Sequence, residues 1–479
     1  MTAQRQALYL SVHLLQLALD RSKALNVELL RLRSRQYPPT GPVRLINLAM
    51  TTNDQISQDL LEMLADKRLA TAIPNREVEI SLRAKTYLLG FLHLLMQYVE
   101  GAEIQYCPSS FIIPLRRLLR KHHRDFDFIV RTSCWYNYSI LPLTEGIREV
   151  FSEAGYLNLL NGFPDKFFVI DCPVSERRNI PIHCIFAHEI GHTLYKRYGV
   201  ADRLSPSVSV DESVLERLIS AFARQPVETR RGETGATAGE VVQEWRIEHA
   251  LRSRLKIVIS QWLEEVTADA LAICLLGPAY FFAFVYFAGP FASMDNPTDK
   301  HPPDRMRIRF MCDMISAKGD GLAYDKVLDE TAKEYIERWK VYTSQPSVTM
   351  LGAEDTLHSI AARAIEPVLK TIMKETKGIT RRSRYTPNRF KRDVYLLYES
   401  LGHGIPPNEI IDDWEVGQYR IAEAEAILNA GWVYLISRDD RYARLLGVSD
   451  QWAVTNQLFD LVSKALEYAE IQRRWRQQR

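Results

Sequence analysis

The segment Ile180–Gly199, IPIHCIFAHEIGHTLYKRYG, decides how the rest of the chain is read. Ile182, Ile185 and Phe186 give it an apolar face at helical spacing. Asn179 can cap the start, and Pro181 suits a first turn, where a missing N–H costs nothing. Lys196 and Arg197 fall in the last turn, where cations meet the negative end of the helix dipole, and Gly199 can close it. Inside this helix His188 and His192 stand at i and i+4, so both imidazoles leave the same face one turn apart. Imidazoles so placed can share one zinc ion, with Glu189 beside the metal but not bound to it. The competing reading is a chance recurrence of HExxH. It would leave a capped helix burying histidine nitrogens to no purpose.

A catalytic zinc site takes three protein ligands and keeps one position open for water. Glu264, Glu265 and Asp269 are the downstream candidates. Glu265 and Asp269 are again at i and i+4, so both can face the zinc helix. Glu265 then binds the metal, and Asp269 accepts the outer N–H of a ligand histidine. Glu264, one step round the helix, is the alternative ligand, and a solvated acidic face is the alternative for both glutamates.

Glu265-Val266-Thr267-Ala268-Asp269 resembles the ExxAD element of the gluzincin metallopeptidases. His301-Pro302-Pro303-Asp304-Arg305-Met306-Arg307 resembles the HPPxxxR stretch that follows it in the Ste24/HtpX-type gluzincins. The resemblance covers only Ile180–Phe310. It implies a zincin-like core with Zn2+ on His188, His192 and Glu265, His301 stabilising an oxyanion, and Arg307 anchoring the structure near the site. For His301 and Arg307 the other reading is a proline turn opening a helix, with Tyr195 or Tyr280 as the next candidate donors.

Two imidazoles and one carboxylate leave a zinc site with net positive charge, which polarises a carbonyl and acidifies water. Glu189 would take the proton of the attacking water and pass it to the departing amine. A zinc endopeptidase follows, of narrow and regulated specificity, acting on a protein or peptide substrate and leaving room for a regulatory partner. The strand candidate Lys166–Asp171, KFFVID, is read as the sheet edge on which an extended peptide would lie.

The rest of the chain bounds this reading. With 479 residues, 46% hydrophobic and 25% charged, the composition is that of a large globular protein. A net charge of +2 provides no field to recruit nucleic acid or an anionic membrane, and neither partner is expected. The basic runs Arg116–Arg124, Arg381–Arg392 and Arg473–Arg479 support a second class: a zinc-containing binding or regulatory module that contacts protein or nucleic acid. The six cysteines form no CxxC pair, which suits a reduced, cytoplasmic protein. The apolar stretch Ala7–Leu19 is interrupted by His13 and Gln16 and is not read as a signal peptide. Leu271–Ala292 is long enough to span a bilayer, but Gly277-Pro278 and Gly289-Pro290 divide it. It is read as buried core, without membrane insertion.

The periodicities predict an α+β, predominantly helical fold with a small sheet. Helices are expected over Thr2–Arg35, Gln55–Leu69, Val78–Val99 and Val241–Leu276. Strands are expected within Phe126–Leu143 and at Lys166–Asp171. Gly199–Glu240 reads as a polar insertion in which Arg230–Gly239 has the composition of a mobile loop, and the helical C-terminal part should break near Gly319, Gly352 and Pro406. The expected division is a helical region 1–124, a zincin-like core 125–317 containing the insertion 199–240, and a helical region 318–479.

Overall fold

The computed structural model describes residues 3–65, 76–223, 238–289, 295–316, 321–344, 356–413, 418–437 and 439–478. Among the described residues the fold is mostly helical with two small sheets, and the chain divides into two compact units, Met1–Arg178 and Asn179–Arg479.

The first unit contains α1 (Ala3–Arg33), α2 (Gly41–Ala65), α3 (Arg76–Glu100), α4 (Ser109–His122), β1 (Phe126–Ser133), β2 (Ser139–Pro142), α5 (Thr144–Glu153) and β3 (Lys166–Pro173). Leu25, Leu29 and Leu32 of α1, Leu45 of α2 and Leu88 and Leu92 of α3 recur at helical spacing and share one core with Ile129, Phe167 and Val169 of the sheet. Alternation then sends Phe128, Val130, Phe168 and Ile170 to the opposite face, where they too are buried. A sheet covered on both faces reads as a continuous apolar run, and FFVI in β3 is such a run. Gly41 opens α2 directly against β1: a Cβ there would lie 2.1 Å from the carbonyl oxygen of Phe128.

Two sequence expectations change here. The sheet belongs to the N-terminal unit, because β1 and β3 pack with α1–α3, so the division falls after Arg178 and not after residue 124. Lys166–Asp171 is also not an edge. β3 is the central strand, parallel to β1 from Phe126↔Lys166 to Ser133↔Pro173 and antiparallel to β2 from Ser139↔Asp171 to Pro142↔Phe168. Its backbone groups are taken on both sides over Phe168–Asp171, leaving no free ladder there for a peptide.

The second unit contains α6 (Phe186–Arg197), α7 (Val200–Leu204), α8 (Glu212–Ala223), α9 (Ala238–Leu276), α10 (Pro278–Ala288), α11 (Asp304–Ile315), α12 (Glu330–Ser344), α13 (Leu357–Ile365), α14 (Leu369–Ile379), α15 (Pro387–Gly402), β4 (Glu409–Asp413), β5 (Gln418–Ile421), α16 (Ala424–Ser437), α17 (Arg441–Leu446) and α18 (Gln451–Gln477). The long helix α9 is its axis: α6, α8, α11, α13 and α14 all pack on it, and Trp262, Val266, Ala270 and Leu271 are fully buried. β4 and β5 form an antiparallel hairpin, and the break expected at Pro406 lies between α15 and β4. Gly319, Gly352, Pro290 and residues 230–237 of the expected loop lie outside the described residues.

Leu271–Ala288 runs through the end of α9 and α10, with Leu271–Val285 buried. Gly277 breaks it at φ +69°, a conformation that suits glycine, and a Cβ would approach the Tyr324 hydroxyl and the Tyr385 ring to 3.0 Å. The broken ends are satisfied by one side chain: Asn429 of α16 accepts from the Ala279 N–H (2.9 Å) and donates to the Leu276 carbonyl (2.7 Å). Among the described residues no helix is long and apolar enough to cross a membrane.

Candidate metal centre

The motif helix enters through a 3-10 segment, Ile180–Ile185, all of it buried, so α6 begins at Phe186 and not after Asn179. The segment packs against α10, α16 and α18, and the Pro181 carbonyl accepts from Trp432 Nε1 at 2.9 Å. Those tertiary contacts override the local cap signal at Asn179. At the other end Gly199, at φ +56°, closes α6 with its N–H on the Lys196 carbonyl (3.2 Å). In between, Gly191 faces Ala268 of α9, and the absence of a side chain on one and the small side chain on the other let the helices approach closely.

That approach brings His188, His192 and Glu265 together, each offering one ligand atom, all within 4.8 Å of one another. His188 Nε2 lies 3.1 Å from His192 Nε2. Glu265 Oε2 lies 3.3 Å from the first nitrogen and Glu265 Oε1 3.3 Å from the second. The outer nitrogens are both taken by carboxylates. His188 Nδ1 donates to Asp269 Oδ1 (2.9 Å), and His192 Nδ1 donates to Glu264 Oε1 (2.9 Å), which Lys196 Nζ also approaches at 3.4 Å. A carboxylate on Nδ1 fixes the proton there, so in the neutral imidazoles both Nε2 lone pairs point into one space alongside the Glu265 carboxylate. Glu265 Oε2 is buried and forms no hydrogen bond among the described residues. With the imidazoles neutral, these lone pairs repel unless positive charge lies among them, whether protons on the Nε2 atoms or a metal ion, and the three residues fit a metal ion.

The outer carboxylates differ in setting. Asp269 is fully buried and receives Arg307 through Nε and Nη2, both at 2.8 Å, and the Tyr280 hydroxyl at 2.5 Å. Arg307 also reaches Glu265 Oε2 through Nη1 (3.5 Å) and stacks over Phe284 at 4.6 Å. Burial alone would raise the Asp269 carboxyl, but Arg307 and then His188 overcome it and hold the group well below the usual carboxylate range. Glu265 shows the same balance: burial raises it, and the imidazoles of His188, His192 and His301 hold it far below its ordinary value. Burial pushes both ligand imidazoles down, but Asp269 and Glu265 lift His188, and Glu264 and Glu265 lift His192 to about 10. A cluster so rich in carboxylate draws positive charge to the Nε2 atoms.

Glu189, half-buried, sits between the two imidazoles in sequence, and its charge is felt by His192. His301 is half-exposed, with Nδ1 at 3.3 Å from Glu265 Oε2. Arg307 and Tyr280 hold Asp269. Glu264 lies outside the group that could hold a metal and supports His192 instead. Tyr195 is buried, and its hydroxyl bonds to none of the described residues. Sequence reasoning took Tyr280 as a substitute donor and Glu264 as a rival ligand. A signal for the role of Glu264 was present in Lys196, a cation one turn beyond His192 on the same helix face. No family model, no curated protein and no solved structure matches the chain.

Proposed function

We propose that the chain is a zinc-dependent endopeptidase of gluzincin type, built on a zincin-like core formed by α6 and α9. The observation that carries this reading is the convergence of His188 Nε2, His192 Nε2 and the Glu265 carboxylate, with both outer imidazole nitrogens held by carboxylates. Two nitrogens and one carboxylate oxygen in a three-residue set are the donors of a catalytic zinc site, which keeps its remaining position for water. A zinc ion bound there supplies Lewis-acid activation of water and of the substrate carbonyl.

The chain's own residues supply the rest. Glu189 Oε accepts the proton of the attacking water and returns it to the departing amine. His301, half-exposed and with Nδ1 beside Glu265, donates from Nε2 of the doubly protonated ring to the carbonyl oxygen as it gains charge. Asp269 and Glu264 keep the ligand imidazoles in the tautomer that offers Nε2, and Arg307 keeps Asp269 ionised and in place. A reduced, cytoplasmic setting is supported by the six free cysteines, five of them buried.

Glu189→Gln tests the reading, because the amide cannot take the proton while the metal ligands are untouched. The variant should retain zinc and its melting temperature but generate no new protein N-termini in cells that express it, whereas wild type should generate them. If wild type and Glu189→Gln give the same N-termini and the same cellular effect, hydrolysis is not the function, and a zinc-containing binding module takes its place.

A further inference from the structure

Beside the candidate metal ligands α6, α7, α8 and α9 line an open pocket of about 420 Å³. Leu263, next to Glu264 on α9, and Tyr195, one turn beyond His192 on α6, both line it, so it adjoins the His192 edge of the centre. Leu215, Leu255 and Ile259 make apolar walls. The Tyr195 hydroxyl is buried with no hydrogen-bond partner among the described residues, and native structures rarely leave such a group without a ligand or water. The lining carries two carboxylates, Asp202 and Glu212, and two cations, Arg252 and Lys256; Arg252 is taken up by Glu212 (2.7 Å) and by Glu248 (2.8 Å) beyond the lining, while the exposed Asp202 forms no ion pair among the described residues. Burial, then the charges of Glu264 and Asp202, push the Tyr195 phenol up to about 12, so those negative charges reach the hydroxyl.

We infer that this pocket receives a lysine or arginine side chain of the peptide bound at the metal. The long methylene stem lies against Leu255, Ile259 and Leu263, as such stems do on apolar surface, and the cationic end donates to Tyr195 Oη within reach of Asp202. An acidic side chain reaching the Tyr195 hydroxyl would be repelled by Glu264 and Asp202. A purely aliphatic one would leave the tyrosine hydroxyl unsatisfied. This specificity rests on the peptidase reading, but it is a statement about binding and can be measured without turnover.

The test uses the full-length, zinc-loaded Glu189→Gln protein and fluorescent peptides that differ at one position: lysine, arginine, norleucine or glutamate. Fluorescence anisotropy should show lysine or arginine peptides binding at least about tenfold more tightly than the norleucine peptide, the gain expected from one charge-assisted contact. Tyr195→Phe and Asp202→Asn, made in the same background, should each remove most of that difference with zinc content unchanged. Tyr195→Phe should melt no lower than its parent, since the hydroxyl it removes has no partner in the free protein. Equal binding of lysine and norleucine peptides, a preference that survives both substitutions, or no binding of any peptide would overturn the assignment. A parallel digest with wild type separates the two claims. Cleavage without a basic preference removes the pocket and leaves the peptidase. A Tyr195-dependent basic preference without cleavage removes the peptidase and leaves the pocket.

Discussion

Gly191 on α6 and Ala268 on α9 meet with no room for another side chain: a Cβ on Gly191 would lie 2.8 Å from both the Ala268 Cα and its carbonyl oxygen. Backbone atoms of a packed helix cannot yield as a flexible side chain can, so Gly191→Ala must push the helices apart. Because His188 and His192 ride on one helix and Glu265 on the other, that separation opens the ligand set. We expect Gly191→Ala to lower stability by about 1–3 kcal/mol, as overpacking does, and to weaken zinc in a chelator competition. Gly90→Ala is the control, since a Cβ there meets nothing within 4 Å in the interior of α3. It should be neutral or stabilising by about 0.5–1 kcal/mol. Unchanged zinc affinity in Gly191→Ala would show that the close crossing does not set the site.

Metal content should separate ligands from their supports. Purified protein should hold about one zinc per chain, and His188→Ala, His192→Ala and Glu265→Ala should each lose it, as three protein ligands are the usual minimum. Glu264→Ala should keep zinc with affinity about 10- to 100-fold weaker, the usual effect of removing a carboxylate behind a ligand histidine. Asp269→Ala should also unfold more readily, by about 3–5 kcal/mol, because it leaves the buried Arg307 without its main partner. Elemental analysis and melts with and without chelator read both effects. Zinc lost from Glu264→Ala and kept by Glu265→Ala would reverse the assignment.

The parts of this centre that were legible in the sequence are those set by helix geometry alone. His188 with His192, and Glu265 with Asp269, share faces because residues at i and i+4 do, whatever the tertiary structure. The role of Glu264 was not legible, because it depends on where the outer nitrogen of His192 points after α6 crosses α9, and that crossing depends on Gly191 and Ala268. Strand pairing failed for a related reason: the partners of β3 are set by long-range contacts, although its unbroken FFVI run already favoured a strand covered on both faces over an edge. The break at Gly277-Pro278 was visible locally, whereas the Asn429 side chain that satisfies it comes from α16, far along the chain.

Acid should act on the second unit at a carboxylate outside the His188, His192 and Glu265 group. Asp393 of α15 is buried, receives Arg392 through Nε (2.7 Å) and Nη2 (2.9 Å), and is also paired with Arg420 of β5. Burial would raise its carboxyl, but Arg392 and Arg420 hold it below its ordinary value. A carboxyl depressed on folding contributes stability above its unfolded value of about 3.9 and loses it as pH falls through the lower folded value. Wild-type melting temperature should therefore fall between about pH 5 and pH 2 more steeply than that of Asp393→Asn. At pH 7 the variant should be less stable by about 1–3 kcal/mol, less than for a fully buried pair because Arg392 is largely exposed. Parallel acid limbs in the two proteins would show that Asp393 carries no such linkage.

His301 is held beside Glu265 by a short turn. The Thr298 N–H donates to the His301 carbonyl (3.0 Å), the His301 N–H donates to Thr298 Oγ1 (2.9 Å), and Trp262 Nε1 of α9 donates to the Thr298 carbonyl (2.9 Å). This staple leaves the imidazole half-exposed with Nδ1 beside Glu265 Oε2, so Nε2 is the nitrogen left to meet a substrate, and with Nδ1–H facing the carboxylate it donates there only from the doubly protonated ring. If it donates to the developing oxyanion, His301→Ala should retain zinc and KM but lose about 10²–10³ in kcat. Trp262→Phe keeps the ring packing, removes the hydrogen bond to Thr298 and should lower kcat in the same direction by a smaller factor, again with zinc retained. Steady-state kinetics on a cleaved peptide, with elemental analysis of each variant, distinguishes the outcomes. Loss of zinc from His301→Ala would make the imidazole a support of the Glu265 carboxylate, and an unchanged kcat would leave it as a residue of the turn.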